Sequence, residues 1–163
     1  MRSLATQHFD LPDSVTNNFL LKDRGTPVAM LLQGRTSHYR IDEPDANEEY
    51  SRLLPSGGHL VHYPDSDGNM KEYTVTIFHQ LKCLNIVREA YLNDASQPIS
   101  RFTRHCMTYL RQSLLCNLNI GLENTVNAAA SVSRTYNALC FDWTKVYAEA
   151  EKNYQNTRGQ STQ

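Results

Sequence analysis

Two segments near the middle of the chain have the sequence pattern of helices, at about residues 79–93 and 101–117. Residues three and four positions apart share one face of a helix, so each segment would place its reactive and apolar side chains together. Ser100 stands just before the second segment, where its hydroxyl can accept an amide proton of the first turn. We expect these two helices to face each other and to form the core of the fold.

A run of alternating and β-branched residues precedes the first helix. The strand candidates are residues 59–63 and 72–78, and the intervening residues 64–69 are rich in turn formers. This pattern is typical of a β-hairpin with a longer loop, whose second strand leads directly into the first helix. The predicted fold class is therefore mainly α (α+β), with a helical core built on two facing helices and a small β-hairpin before the first.

The segments outside this central region give weaker signals. Residues 46–54 begin with acidic side chains, which the helix dipole favours there, and they predict a short helix. Residues 28–33 fit a strand or a short helix. We expect a short helix at residues 13–21 and a last helix that opens at residues 139–143 and continues through Ala150.

Length and composition fit one globular domain. The chain has 163 residues, of which 40% are hydrophobic and 20% charged, with a formal net charge of -1. This charge creates no field that would attract nucleic acid or an anionic membrane. We expect a soluble chain without a signal peptide or membrane anchor, because no apolar run approaches the roughly 20 residues that span a bilayer. We expect one domain over residues 1–152, a surface segment at 128–131 and a frayed polar tail at 153–163.

Four cysteines offer a choice between disulfides and free thiols. They are Cys83, Cys106, Cys116 and Cys140. Four cysteines allow three two-bridge connectivities, and buried free thiols pack as small hydrophobes. Because Cys83 and Cys106 would lie on facing helices, we favour one bridge between them and a second between Cys116 and Cys140.

The candidate chemistry is concentrated on the two central helices. On the first, His79, Lys82 and Cys83 share a face. On the second, one face carries Phe102, His105, Cys106 and Tyr109. These residues could hold a metal ion, because His and Cys at this spacing reach one point, or they could be core residues beside a disulfide.

A lysine and two further histidines are also candidates for chemistry. Lys82 is a candidate acid or base if it is buried, because desolvation lowers the pKa of a lysine. His59 and His62 lie three positions apart on a predicted strand, so they point to opposite faces and would not chelate one ion together.

The motifs HQLKC at residues 79–83 and FTRHC at residues 102–106 resemble the paired His-x-x-His-Cys motifs of the UstYa-like proteins of fungal biosynthetic clusters. The resemblance covers about residues 45–148. It implies tailoring of fungal natural products, including ribosomal cyclic peptides, by oxidative cyclisation, hydroxylation, desaturation or halogenation. It also implies bound copper, an N-terminal membrane anchor and the lumen of the secretory pathway, which suits disulfides. A cytoplasmic location is the alternative, since we expect no signal or anchor in this sequence.

The departures from these motifs fall on the implied metal ligands. Lys82 stands in place of the second histidine of the first motif, and Phe102 in place of the first histidine of the second. A lysine cation there would repel a metal ion. We therefore expect no metal, and if one is bound, its ligands would be His79 and His105 with His59 or His62 as a third.

These losses predict a non-redox member of an oxidase family. The expected activity is cofactor-independent cyclisation or isomerisation of a small-molecule intermediate, of which a Diels–Alder cycloaddition is one case. The candidate catalytic residues are Lys82, His79, His105, Tyr109 and Arg111. The candidate substrate-binding residues are Phe102, Tyr73 and Phe78. The alternatives are a copper-dependent oxidase and a non-catalytic protein that pairs with an active homologue. The expected partners are the small-molecule intermediate and, in a homo- or heterodimer, a second protein chain.

Overall fold

The computed structural model describes residues 26–32, 36–65, 67–93, 96–117 and 136–160. Among these residues the helices are α1 (Ala46–Ser51), α2 (Thr76–Leu92), α3 (Arg101–Cys116) and α4 (Thr144–Gln160). The strands are β1 (Val28–Leu32), β2 (Leu60–Pro64), β3 (Met70–Thr74) and β4 (Tyr136–Cys140). The α+β class is confirmed, with α2 and α3 as facing helices and the β2–β3 hairpin before α2.

Helices α2 and α3 pack against each other in antiparallel directions. Cys83 of α2 is bonded to Cys106 of α3, and His79 contacts Tyr109 one turn further along. The Cα atoms of the two cysteines are only 4.8 Å apart, so the helices are close at this level. The predicted cap is present, because the hydroxyl of Ser100 accepts a hydrogen bond from the Thr103 amide at 3.0 Å.

The hydrophobic core lies where α2, α4 and the hairpin meet. Its buried residues are Val61, Val75, Phe78 and Ala150. The ring of Phe78 packs edge to face against the ring of Tyr147, with centroids 4.9 Å apart. This core therefore lies next to the first turn of α2, which carries His79.

Helix α4 is longer than the sequence predicts. We expected a frayed tail from residue 153, but α4 continues to Gln160. Asn153 explains the difference, because its amide oxygen accepts from the His62 amide at 2.9 Å and its amide nitrogen donates to the His62 carbonyl at 2.7 Å. These two bonds hold the second half of α4 against strand β2.

The hairpin has a shorter second strand than predicted. Strand β3 ends at Thr74 and α2 begins at Thr76, although the alternating pattern extended to residue 78. The His79 amide donates to the Val75 carbonyl at 2.9 Å, which is the first helical bond. Val75 and Phe78 are both buried, so helical geometry brings these residues, three positions apart, onto the core side.

A second two-stranded sheet replaces part of the predicted last helix. Strand β4 pairs antiparallel with β1, in a register from Val28 opposite Cys140 to Leu32 opposite Tyr136. Helix α4 begins only at Thr144, whose amide and hydroxyl both donate to the Asp142 carboxylate. This carboxylate satisfies a free amide of the first turn, which explains the later start.

The remaining predicted elements have different outcomes. Residues 28–32 are a strand, and the short acidic helix ends at Ser51 rather than at residue 54. The helix predicted at 13–21 and the surface segment at 128–131 lie outside the described residues. Among the described residues, no helix combines the length and apolar character needed to cross a bilayer.

Candidate functional site

Three rings meet on one side of the α2–α3 pair. His79 stacks on Tyr109 with ring centroids 4.0 Å apart and planes 23° apart. The ring of His105 lies 5.6 Å from that of His79 and 6.1 Å from that of Tyr109, in nearly parallel planes. The structure thus brings together three of the predicted catalytic residues, which we call the His–Tyr cluster. His105 is exposed and His79 and Tyr109 are half-buried, so solvent reaches the cluster.

The disulfide borders the His–Tyr cluster and restricts its chemistry. One ligand atom each of His79, Cys83 and His105 lie within 4.8 Å of one another, a spacing that could hold a metal ion. However, the Cys83 sulfur is bonded to Cys106, and the thiolate is the form of cysteine that ligates metals. Two imidazoles remain as donors. This donor set does not fit the paired-motif copper site that the family resemblance implies.

The imidazole of His79 favours its neutral form. Partial burial is the main cause that lowers the pKa of His79 below its ordinary value, and the nearby charges of His105 and His59 lower it further. A neutral imidazole near pH 7 can accept a proton or a hydrogen bond. His79 is therefore suited to act as a base or a hydrogen-bonding group.

Two further predicted catalytic residues lie outside the His–Tyr cluster. Lys82 is exposed, so the burial that would make it an effective acid or base is absent. Arg111 is exposed and only two positions from Tyr109, so it projects from a different side of α3. Neither residue takes part in the ring contacts described above.

The predicted substrate-binding residues are dispersed. Phe78 is fully buried in the core against Tyr147, so it has no surface for a substrate, and that prediction is wrong. Tyr73 lies exposed on β3. Phe102 is exposed and lines a groove with Ile86 and Glu89, two residues for which the sequence pattern predicts no role. The sequence does contain one indication of this groove: Ile86 and Glu89 are three positions apart on α2, which places both on one face of the helix.

Of the two predicted disulfides, the structure contains one. Cys83 and Cys106 are bridged, but Cys116 and Cys140 are free, so the second bridge is a wrong prediction. Cys116 follows Cys106 by ten residues on α3, which turns it away from the buried face and into solvent. Cys140 is the last residue of strand β4, and this strand pairs with β1, where Cys140 lies opposite Val28.

Comparison with known proteins places this site in a family. The family model described as "Mycotoxin biosynthesis protein UstYa" matches residues 55–151, which is more than half of the chain and includes the whole His–Tyr cluster. The chain therefore belongs to the UstYa family of fungal mycotoxin biosynthesis, which confirms the resemblance drawn from HQLKC and FTRHC.

Two curated relatives are similar to the chain. The UstYa family oxidase phomYb of Diaporthe leptostromiformis is 26% identical over 133 residues, covering 71% of this chain and 53% of that protein. The oxidase ustYa of Aspergillus flavus is 29% identical over 90 residues, covering 51% of this chain and 42% of that protein. The chain thus spans about half the length of the curated relatives it matches. No solved structure gives a significant match.

Proposed function

We propose that this protein tailors a small-molecule intermediate of fungal natural-product biosynthesis as a cofactor-independent cyclase or isomerase. The observation that carries the proposal is the pairing of His79 and His105 beside a cysteine that is held in a disulfide. The donors left at this position suit proton transfer and hydrogen bonding better than they suit a redox metal.

The His–Tyr cluster offers groups of complementary chemistry. Neutral His79 can accept a proton from a carbon acid and return it to another position, which is an isomerisation with no net change in atoms or electrons. The Tyr109 hydroxyl and the exposed His105 can donate hydrogen bonds to a carbonyl oxygen and polarise it. A polarised carbonyl held next to a diene would also accelerate a cycloaddition, in which all atoms of the substrate remain in the product.

An oxidase is the second candidate, and the names of both relatives, which describe oxidases, favour it. It would require a redox centre that the two imidazoles alone do not complete. A non-catalytic partner of an active homologue is the remaining alternative, and a test with the isolated protein separates it from the other two.

The deciding experiment uses the intermediate that accumulates when the gene is deleted in a fungal producer. The purified protein is incubated with this compound without oxygen and with a chelator, and in parallel with oxygen and copper. We expect a product of unchanged mass under the first condition. A product of changed mass that forms only with oxygen and copper would establish the oxidase, and turnover only in the presence of a homologue would establish the partner role.

Variants then connect the turnover to the His–Tyr cluster. We expect His79→Gln and His105→Gln each to reduce the rate by about 10²-fold or more, as removal of an acid–base group does. The matched control is His62→Gln, because His62 lies on β2 and takes no part in the ring contacts of the cluster. Equal rates for all three variants would place the reaction elsewhere on the protein.

A further inference from the structure

A groove opens between α2 and α3 beyond the disulfide, at the end where the chain connects the two helices. Ile86, Glu89 and Ala90 of α2 form one wall, and Phe102 and Thr103 of α3 form the other. Ile99 of the connecting segment closes the end. The α2 residues are spaced by three and four, so a single face of the helix lines the groove.

The walls of this groove expose large apolar side chains. Phe102 and Ile99 are 74% and 62% exposed as residues, although both line a concave surface. Apolar surface left in water is unfavourable by about 25 cal/mol per Å², so a ligand that covers these side chains gains binding energy. An aromatic or branched aliphatic group fits this requirement, because it can lie against the Phe102 ring.

The groove carries one charged side chain among its described lining residues, that of Glu89. One carboxylate oxygen of Glu89 accepts a hydrogen bond from the side-chain Nδ2 of Asn85 at 2.8 Å. No lysine, arginine or histidine of the described residues forms an ion pair with Glu89, so its other oxygen is available to a ligand. A positively charged group would complement this charge, whereas an anionic group would be repelled.

We propose that this groove binds an organic ammonium compound with an aromatic or branched aliphatic body. The body lies against Phe102 and Ile99, and the ammonium group donates hydrogen bonds to Glu89. On α3 the groove residue Phe102 precedes His105 of the His–Tyr cluster by three residues, about 4.5 Å along the helix axis. That the bound compound is also the substrate rests on the function proposed above, whereas the binding itself does not.

The test measures binding of three small probes to the full chain by ¹H–¹⁵N NMR. The probes are 2-phenylethylammonium, the neutral 2-phenylethanol and the anionic 3-phenylpropionate, which share a phenyl ring and differ in the charge of the polar end. We expect 2-phenylethylammonium to shift amide signals of the groove residues at millimolar concentration, more strongly than 2-phenylethanol. We expect 3-phenylpropionate to bind most weakly.

Two variants assign the parts of the groove. Glu89→Gln should weaken binding of 2-phenylethylammonium about threefold, as expected for a solvent-accessible ion pair, and leave 2-phenylethanol unchanged. Phe102→Ala should weaken the binding of both 2-phenylethylammonium and 2-phenylethanol. Glu48→Gln is the control, because it makes the same change of charge on α1, outside the groove. Both side chains altered in the groove variants are exposed, so the fold should persist, which the NMR spectrum itself verifies.

The proposal is overturned if 3-phenylpropionate binds as tightly as 2-phenylethylammonium, if Glu89→Gln leaves ammonium binding unchanged, or if the shifts appear outside the groove. Absence of binding at tens of millimolar also overturns it. These results do not depend on turnover. If 2-phenylethylammonium binds but the protein does not convert the intermediate, the groove proposal is supported and the proposed function is contradicted. If the protein converts the intermediate but the probe does not bind, the proposed function is supported and the groove proposal is contradicted.

Discussion

The imidazole of His79 lies flat against the phenol ring of Tyr109, with the ring centroids 4.0 Å apart, while His105 approaches from the same helix as Tyr109. Partial burial lowers the pKa of His79 first, and the charges of His105 and His59 lower it further. We predict that His105→Gln raises the pKa of His79 toward its ordinary value of 6.5, because one repelling charge is removed. Titration of the imidazole signals by NMR measures the shift.

The control for this prediction is His62→Gln, since His62 is not among the groups that lower the pKa of His79. The lowered pKa of His79 also makes the stability of the fold depend on pH. The unfolded chain binds a proton at a higher pH than the folded one, so this contribution is present above pH 6.5 and is lost as the pH falls through the lowered pKa. An unchanged pKa of His79 in His105→Gln would show that the charge of His105 does not contribute, and that burial and His59 account for the lowering.

The bridge between Cys83 and Cys106 should be a main contributor to stability. It closes a loop with a sequence separation of 23 residues, and both cysteines are buried. Constraining a loop of that size in the unfolded chain stabilises the fold by about 3 kcal/mol. We predict a loss of that order in the double variant Cys83→Ala/Cys106→Ala, measured as the free energy of unfolding in urea.

The matched control is Cys116→Ser, which replaces an exposed free thiol on the same helix and should change the free energy of unfolding by less than about 0.5 kcal/mol. Reducing agent should destabilise the unmodified protein and leave the double variant unaffected. Equal effects of the double variant and the control would mean that the bridge does not form in solution.

The elements that depend on local pattern were predictable from the sequence, and those that depend on distant pairing were not. The two central helices and the Ser100 cap follow from periodicity and cap chemistry within a few residues. Strand β4 forms because Cys140 pairs with Val28, which is far away in the chain, and no local pattern carries that information. The length of α4 likewise depends on Asn153 bonding to His62.

The candidate site shows the same division. The sequence placed His79 and His105 on facing helices, and the structure confirms that they meet. It favoured a disulfide between Cys83 and Cys106, and the structure contains this bridge beside the two histidines. It could not separate exposed Lys82 from buried Phe78, since the packing of α4 over α2 determines which side chains are covered.

Arg88 is a buried cation whose described partners are all neutral. Its side chain donates to the Asn85 side chain at 3.0 Å, to the Ile41 carbonyl at 2.8 Å and to the side chain of Asn47, and it lies over the Tyr50 ring. We predict that Arg88→Met lowers the free energy of unfolding by about 3 kcal/mol, because the buried acceptors lose their donor and the cation–π contact is lost.

Arg52→Met is the control for this change. Arg52 is exposed at the end of α1 and pairs with Glu48, a surface contact that should contribute less than about 1 kcal/mol. Denaturation in urea compares the two variants with the unmodified protein. A loss as small as that of the control would show that water replaces the Arg88 contacts.

The carboxylate of Glu49 fixes the segment before α1 through both oxygens. One accepts from the His38 ring at 2.5 Å, and the other accepts from the Tyr39 amide at 2.5 Å. Tyr39 has a φ of +57°, a left-handed conformation that is unfavourable for a tyrosine, and the Tyr50 hydroxyl donates to its carbonyl at 3.0 Å. Glu49 and Tyr50 therefore hold this conformation in place.

The same contacts predict how this segment responds to acid. The His38 hydrogen bond, and then the Tyr39 amide, hold the pKa of Glu49 below its ordinary value of 4.5. This stabilisation is present above pH 4.5 and is lost as the pH falls through the lowered pKa. We predict that Glu49→Gln destabilises the protein most at neutral pH and that its difference from the unmodified protein shrinks in acid. Unfolding in urea at several pH values measures this, with Glu48→Gln as the control. A difference independent of pH would mean that the carboxylate charge does not hold the segment.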